Sequence, residues 1–171
     1  MDTAGSSVWK RFERSGLALQ ELHKKSNALW SAHQKYFDYC EIWNNRFQAL
    51  NNSIAEVRKH PGINPIEYER RNAIIFRIGD IGAKHLPDHE NLIIVHPAWF
   101  QEITDAGKFF EKTARFLQKN YSKPELCEAR LKKAEETLQK VTSLHSEMEK
   151  RLNELILALN EQKDLYHQVV D

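Results

Sequence analysis

Through the last third of the chain, seam residues recur in alternating steps of four and three: Cys127, Leu131, Ala134, Leu138, Val141, His145, Met148, Leu152, Leu155, Leu159, Gln162, Tyr166 and Val169. Only His145 and Gln162 interrupt an apolar seam. A heptad pattern sustained this long predicts one helix over about 123–171, buried against another long helix. The first third repeats the pattern from Val8 to Val57, with Ser15, Ser26 and His33 as its polar interruptions. That stretch predicts a second long helix over about 7–59, ended by His60-Pro61-Gly62. Gly16 is a weak point within it, costing about 1 kcal/mol against alanine.

Between the seams the pattern predicts two shorter helices. Asn64-Pro65-Ile66-Glu67 is a start signal, with Asn as N-cap and Pro at the first helical position. Ile66, Arg70, Ala73, Ile74, Ile78 and Ile81 follow at helical spacing, giving a helix over about 64–84. A second helix over about 97–120 opens at Pro97 and carries Trp99, Ile103, Ala106, Phe110, Thr113 and Leu117. Gly82 or Leu86-Pro87 closes the first of these helices and Pro97 opens the second, so the segment 85–96 reads as an irregular loop. Ser122-Lys123-Pro124-Glu125 is a further capping box before the last helix.

The expected fold is therefore all-α: a single domain over 1–171, an elongated antiparallel bundle of two long helices with a broken middle layer of two shorter ones. The apolar stripes are wider than a two-stranded coiled coil needs, which favours an intramolecular bundle, with a homodimer that completes it as the alternative. Residues 1–60 carry a net charge of +3 and residues 124–171 one of −3, so the long helices attract each other. An antiparallel register sets His33 level with His145 and Ser15 with Gln162. These four residues form the expected buried polar layer, its histidines neutral at pH 7 through burial.

Composition narrows the function classes. With 25 basic and 24 acidic residues the chain is nearly neutral, which argues against a protein defined by nucleic-acid binding. The start of the chain shows no secretory signal and the longest aliphatic run, Leu92 to Val95, is far too short to span a membrane. Cys40 and Cys127 both fall on seams, where a reduced thiol acts as an apolar filler. A cytoplasmic location is the expectation.

No catalytic, metal or cofactor motif matches the strength of the seams. His85, Asp88, His89 and His96 could ligate a metal by residue type, but no matching ligand set lies elsewhere, and they read as turn formers of the 85–96 loop. No catalytic residue, metal site or cofactor is expected, and the chain reads as not an enzyme. The expected function is a helical scaffold or adaptor that binds a protein partner along the bundle or through the loop. The expected contact residues are His85, Asp88, His89, Leu92, Ile93, Ile94, Val95, His96 and Trp99. A dimeric module that binds membrane surfaces or curvature is the alternative; scattered basic clusters and a BAR-like shape support it by analogy alone.

Overall fold

In a computed structural model the described residues form three helices, α1 (Thr3–Val57), α2 (Pro65–Lys119) and α3 (Pro124–Val170). The structure describes residues 3–60, 62 and 64–170, the side chains of residues 3–6 excepted. The all-helical class agrees with the heptad pattern. The broken middle layer does not: α2 is one helix of 55 residues, and the expected loop 85–96 lies inside it.

The helix ends follow local chemistry. Asn64 Oδ1 accepts from the backbone N–H of Ile66 at 3.0 Å and of Glu67 at 3.4 Å, which satisfies two donors that the first turn leaves open. Glu67 turns to Arg70 and Arg71 at 2.8 and 2.9 Å instead of capping in return, and these guanidinium groups hold its carboxyl down at about 2. Lys123, not Ser122, sits at the N-cap of α3, its carbonyl receiving the Cys127 N–H at 3.2 Å. The Asn120 carbonyl closes the turn by accepting from the Lys123 N–H at 2.8 Å and from the Cys127 thiol at 3.1 Å.

Pro87 and Pro97 stay within α2 because both lie on its exposed side. Each lacks the N–H that would bond four residues back, so the carbonyls of Ala83 and Ile93 lose their helical donor. Both of those residues are exposed as well, and water can reach the freed oxygens. Burial of the opposite side holds the helix together across the two prolines: Leu92 is fully buried, and His96 and Trp99 nearly so. Pro97→Ala should stabilise the protein by about 2 kcal/mol, the helix-interior penalty less the entropy proline removes from the unfolded chain. Urea denaturation checks this; a loss of stability would place residue 97 at a helix start.

The helices divide into two compact units. The first comprises Met1–Ser31 and Ile94–Glu149. Its core takes Phe12, Leu19, Leu22 and Leu29 from α1, Ile103, Ala106 and Phe110 from α2, and Leu131, Ala134 and Val141 from α3. Phe12 stacks on Phe110 with ring centroids 5.6 Å apart, while Trp30 reaches Phe100 at 4.8 Å, so α1 and α2 run antiparallel here. Arg11 meets Glu128 at 2.7 Å and Glu135 at 2.6 Å, whereas Ser26 lies by His145. Residue numbers therefore rise together on α1 and α3, and the two are parallel in this unit. The antiparallel register is corrected, and with it the pairing of Ser15 with Gln162 and of His33 with His145. In this unit the turn at 120–123 reverses the chain after α2, which returns α3 to the direction of α1.

The second unit comprises Ala32–Ile93 and Lys150–Asp171. Arg77 pairs with Glu161 at 3.3 Å and Asn91 accepts from Arg151 at 2.8 Å, so α2 and α3 run antiparallel. Trp43 is buried against Tyr166 edge-to-face at 5.3 Å, with the Arg46 guanidinium over its ring at 4.6 Å. Ile66, expected on the packed face of α2, is 79% exposed, and the packed face there runs through Ile78 instead.

The histidine-bearing face of α2

Counting back from Trp99 in fours and threes gives His96, Leu92, His89, His85, Gly82 and Ile78. These are the inward positions of α2, and three of the histidines assigned to a loop are seam residues. His85 and His89 are half-buried and His96 is 3% exposed. Leu92 and Trp99 are buried with them, Val95 is partly covered, and Asp88 is exposed. Ile93 and Ile94 face outward, 52% and 73% exposed, so of the four aliphatics only Leu92 belongs to the core.

In the first unit His96 lies between two indoles. Its ring centroid is 4.2 Å from that of Trp30 and 5.4 Å from that of Trp99, the latter nearly stacked at 29°. Removal from water lowers its pKa to about 4, because the cation would lose hydration that an aromatic cage does not fully replace. Trp99 also lies 5.8 Å from the His145 ring. The His145 Nδ1 is 3.5 Å from the Ser26 hydroxyl, and its Nε2 is 3.4 Å from Glu149. A serine, histidine and carboxylate in line have the order of a nucleophilic triad. Ser26 is nevertheless fully buried and donates its hydroxyl hydrogen to the Leu22 carbonyl at 2.7 Å, which leaves no exposed nucleophile. The array is a polar layer within an apolar core, with His145 facing Ser26 on one side and Glu149 on the other.

In the second unit the Tyr36 hydroxyl is 2.9 Å from His89 Nδ1, and Cys40 lies one turn further along α1. Burial raises the Tyr36 and Cys40 pKa values and lowers that of His89, so all three are held neutral. Neutral groups fit a tyrosine hydroxyl that donates to the bare imidazole nitrogen. A raised thiol pKa works against nucleophilic chemistry at Cys40. His33 is fully buried beside Phe37, their centroids 6.3 Å apart.

The same trio borders a cleft of about 670 Å³ whose floor is Ile78, Leu155 and Leu159. Gln162 donates to the Ile78 carbonyl at 3.0 Å. Its amide nitrogen would lie 3.1 Å from a Cβ at position 82, so Gly82 leaves room for that hydrogen bond. Of the expected polar layer, Ser15 and His145 are buried in the first unit and His33 in the second, while Gln162 is half-buried at the cleft. Among the described residues no group of three or more His, Cys, Asp or Glu side chains could hold a metal ion. Among them, too, no helix is long and apolar enough to cross a membrane.

These features define an all-α protein whose seams carry buried histidine and serine positions among aromatic rings. No protein-family model, curated protein or solved structure matches the chain. Seam histidines could have been found by extending the four–three count from Trp99 through Pro97. Two outward prolines masked that signal.

Proposed function

We propose that the protein is a non-catalytic helical interaction module, a scaffold or adaptor that binds a protein partner through the outer side of α2. The exposure of Ile93 and Ile94 on an ordered helix is the observation that supports this reading. Two adjacent large aliphatics in water cost roughly 1.5–3 kcal/mol each relative to full burial, and a partner surface is one way to recover that energy. His85, His89, Leu92, His96 and Trp99 then act as the packed face that holds the helix, not as contact residues.

Capture of bound proteins by the tagged full chain, compared with Ile93→Ser/Ile94→Ser, tests the proposal. The variant should keep its helical content and lose the bound partner. An identical bound set would remove the assignment. A chain that instead sediments with anionic vesicles at low salt and releases at physiological salt would favour the membrane-surface alternative.

A further inference from the structure

The heptad seams of the second unit do not close over their whole length. Cys40, Phe47 and Leu50 continue the α1 seam, yet each is only half-buried, whereas Phe12, Leu19, Leu22 and Leu29 of the same seam are buried in the first unit. The gap is the cleft of about 670 Å³, which Cys40, Phe47 and Leu50 all line. Its α2 side carries Gly79, Gly82 and Ala83, residues with too little side chain to reach across. Gly82 makes room for Gln162, but a Cβ on Gly79 would meet nothing within 4 Å, so no packing takes up that part of the opening. Both ends are tied. Tyr36 and His89 join α1 to α2 at 2.9 Å, and at the other end the chain itself passes from Val57 to Pro65. From Tyr36 to Asn51 the α1 wall runs for about 22 Å, at 1.5 Å per residue. A groove open at both ends would suit a partner helix. One tied at both ends suits a ligand of limited length, and the volume falls within the range of small-molecule sites, about 300–1,000 Å³.

The lining sets the chemistry of that ligand. The floor is apolar, with Ile78, Leu155, Ala158 and Leu159 buried beneath the opening. Asn44, Gln48 and Asn51 follow at four and three along the α1 lip, and their carboxamides donate and accept without charge. Among the described residues no lysine or arginine lines the cleft, and its one carboxylate is Asp80. A carboxylate or phosphate entering it would lose water and find no counter-charge. At the tied end the Tyr36 hydroxyl donates to His89, and its oxygen keeps a lone pair that can accept from a ligand hydroxyl. We propose that this cleft binds one uncharged alkyl amphiphile, a long-chain alcohol, whose chain covers Ile78, Leu155 and Leu159 and whose hydroxyl meets Tyr36. Each methylene laid on the floor leaves water, which raises affinity about fourfold.

The experiment is isothermal titration calorimetry of the full chain with decanol, and with decanoate at about pH 8, where the acid is ionised. Decanol should bind once per chain, and decanoate at least about tenfold more weakly. Gly79→Leu/Ala83→Leu fills the opening from two exposed positions, so circular dichroism and the thermal midpoint should show an intact fold. Its affinity for decanol should fall at least about tenfold, the loss of cover for two methylenes. Tyr36→Phe should weaken decanol about threefold or more. Absence of saturable decanol binding to wild type would overturn the proposal, as would decanoate binding equally well. Undiminished affinity in the filled variant would place the ligand elsewhere, and in Tyr36→Phe would remove the hydroxyl contact; either result overturns the assignment. If wild type ignored decanol but captured a protein that the filled variant loses, the occupant would be a partner helix instead. None of these variants changes Ile93 or Ile94, so partner capture through that pair and this site can fail independently.

Discussion

Leu92→Ala is expected to destabilise the protein by about 3–4 kcal/mol, whereas Ile93→Ala one residue on should change stability by less than about 1 kcal/mol. Leu92 is fully buried among the seam residues of α2, and truncation there loses both the transfer free energy and the contacts around the cavity left behind. Ile93 is half-exposed, so most of its side chain has no packing to lose. Urea denaturation of the two variants gives the comparison. Similar small effects would mean that residues 92–95 form the irregular segment that the prolines suggest. Similar large effects would mean that both side chains are buried and that Ile93 and Ile94 do not form an outward pair.

That contrast marks where the sequence was legible and where it was not. The seam of α3 could be read directly, because Leu131, Ala134, Val141, Met148, Leu152, Leu155 and Leu159 are apolar and all prove buried. The seam of α1 was equally clear from Val8 through Trp43, even at Ser26 and His33, whose polar side chains are fully buried. On α2 the local and the tertiary signals disagree. Proline in a helix interior costs about 3 kcal/mol, a strong local argument for ending the helix twice. The tertiary term wins because both rings point outward and Leu92, His96 and Trp99 bury the opposite side. Gly82, His85, His89 and His96 are poor markers of a core, which hid the seam that they continue.

A second error followed from the first. With the middle layer broken, the relative direction of the outer helices was open, and charge alone could not decide it. Arg11 with Glu128 and Glu135 satisfies the attraction between a basic α1 and an acidic α3, yet the helices are parallel in that unit. Net charge on a segment says that two surfaces attract, not which ends meet.

Stability should fall steeply in mild acid, and His96 should account for much of the fall. Its pKa is about 4 in the folded protein, where two indoles enclose it, and near ~6.5 in the unfolded chain. The unfolded state therefore binds the proton more readily. The stabilisation is fully present above the unfolded value and is lost as pH falls from about 6.5 toward about 4. At roughly 1.4 kcal/mol for each unit, the depression amounts to about 3 kcal/mol across that window. His89 is depressed in the same direction by burial, with Glu90 opposing, and adds to the acid loss. His96→Gln should lower stability at pH 7, since it empties part of the indole cage, yet remove about 3 kcal/mol from the difference between pH 7 and pH 4. Chemical denaturation of both proteins at several pH values provides the slope, and the imidazole carbon resonances provide the titration itself. A His96 midpoint near ~6.5 would show a solvated ring that does not lie buried between Trp30 and Trp99.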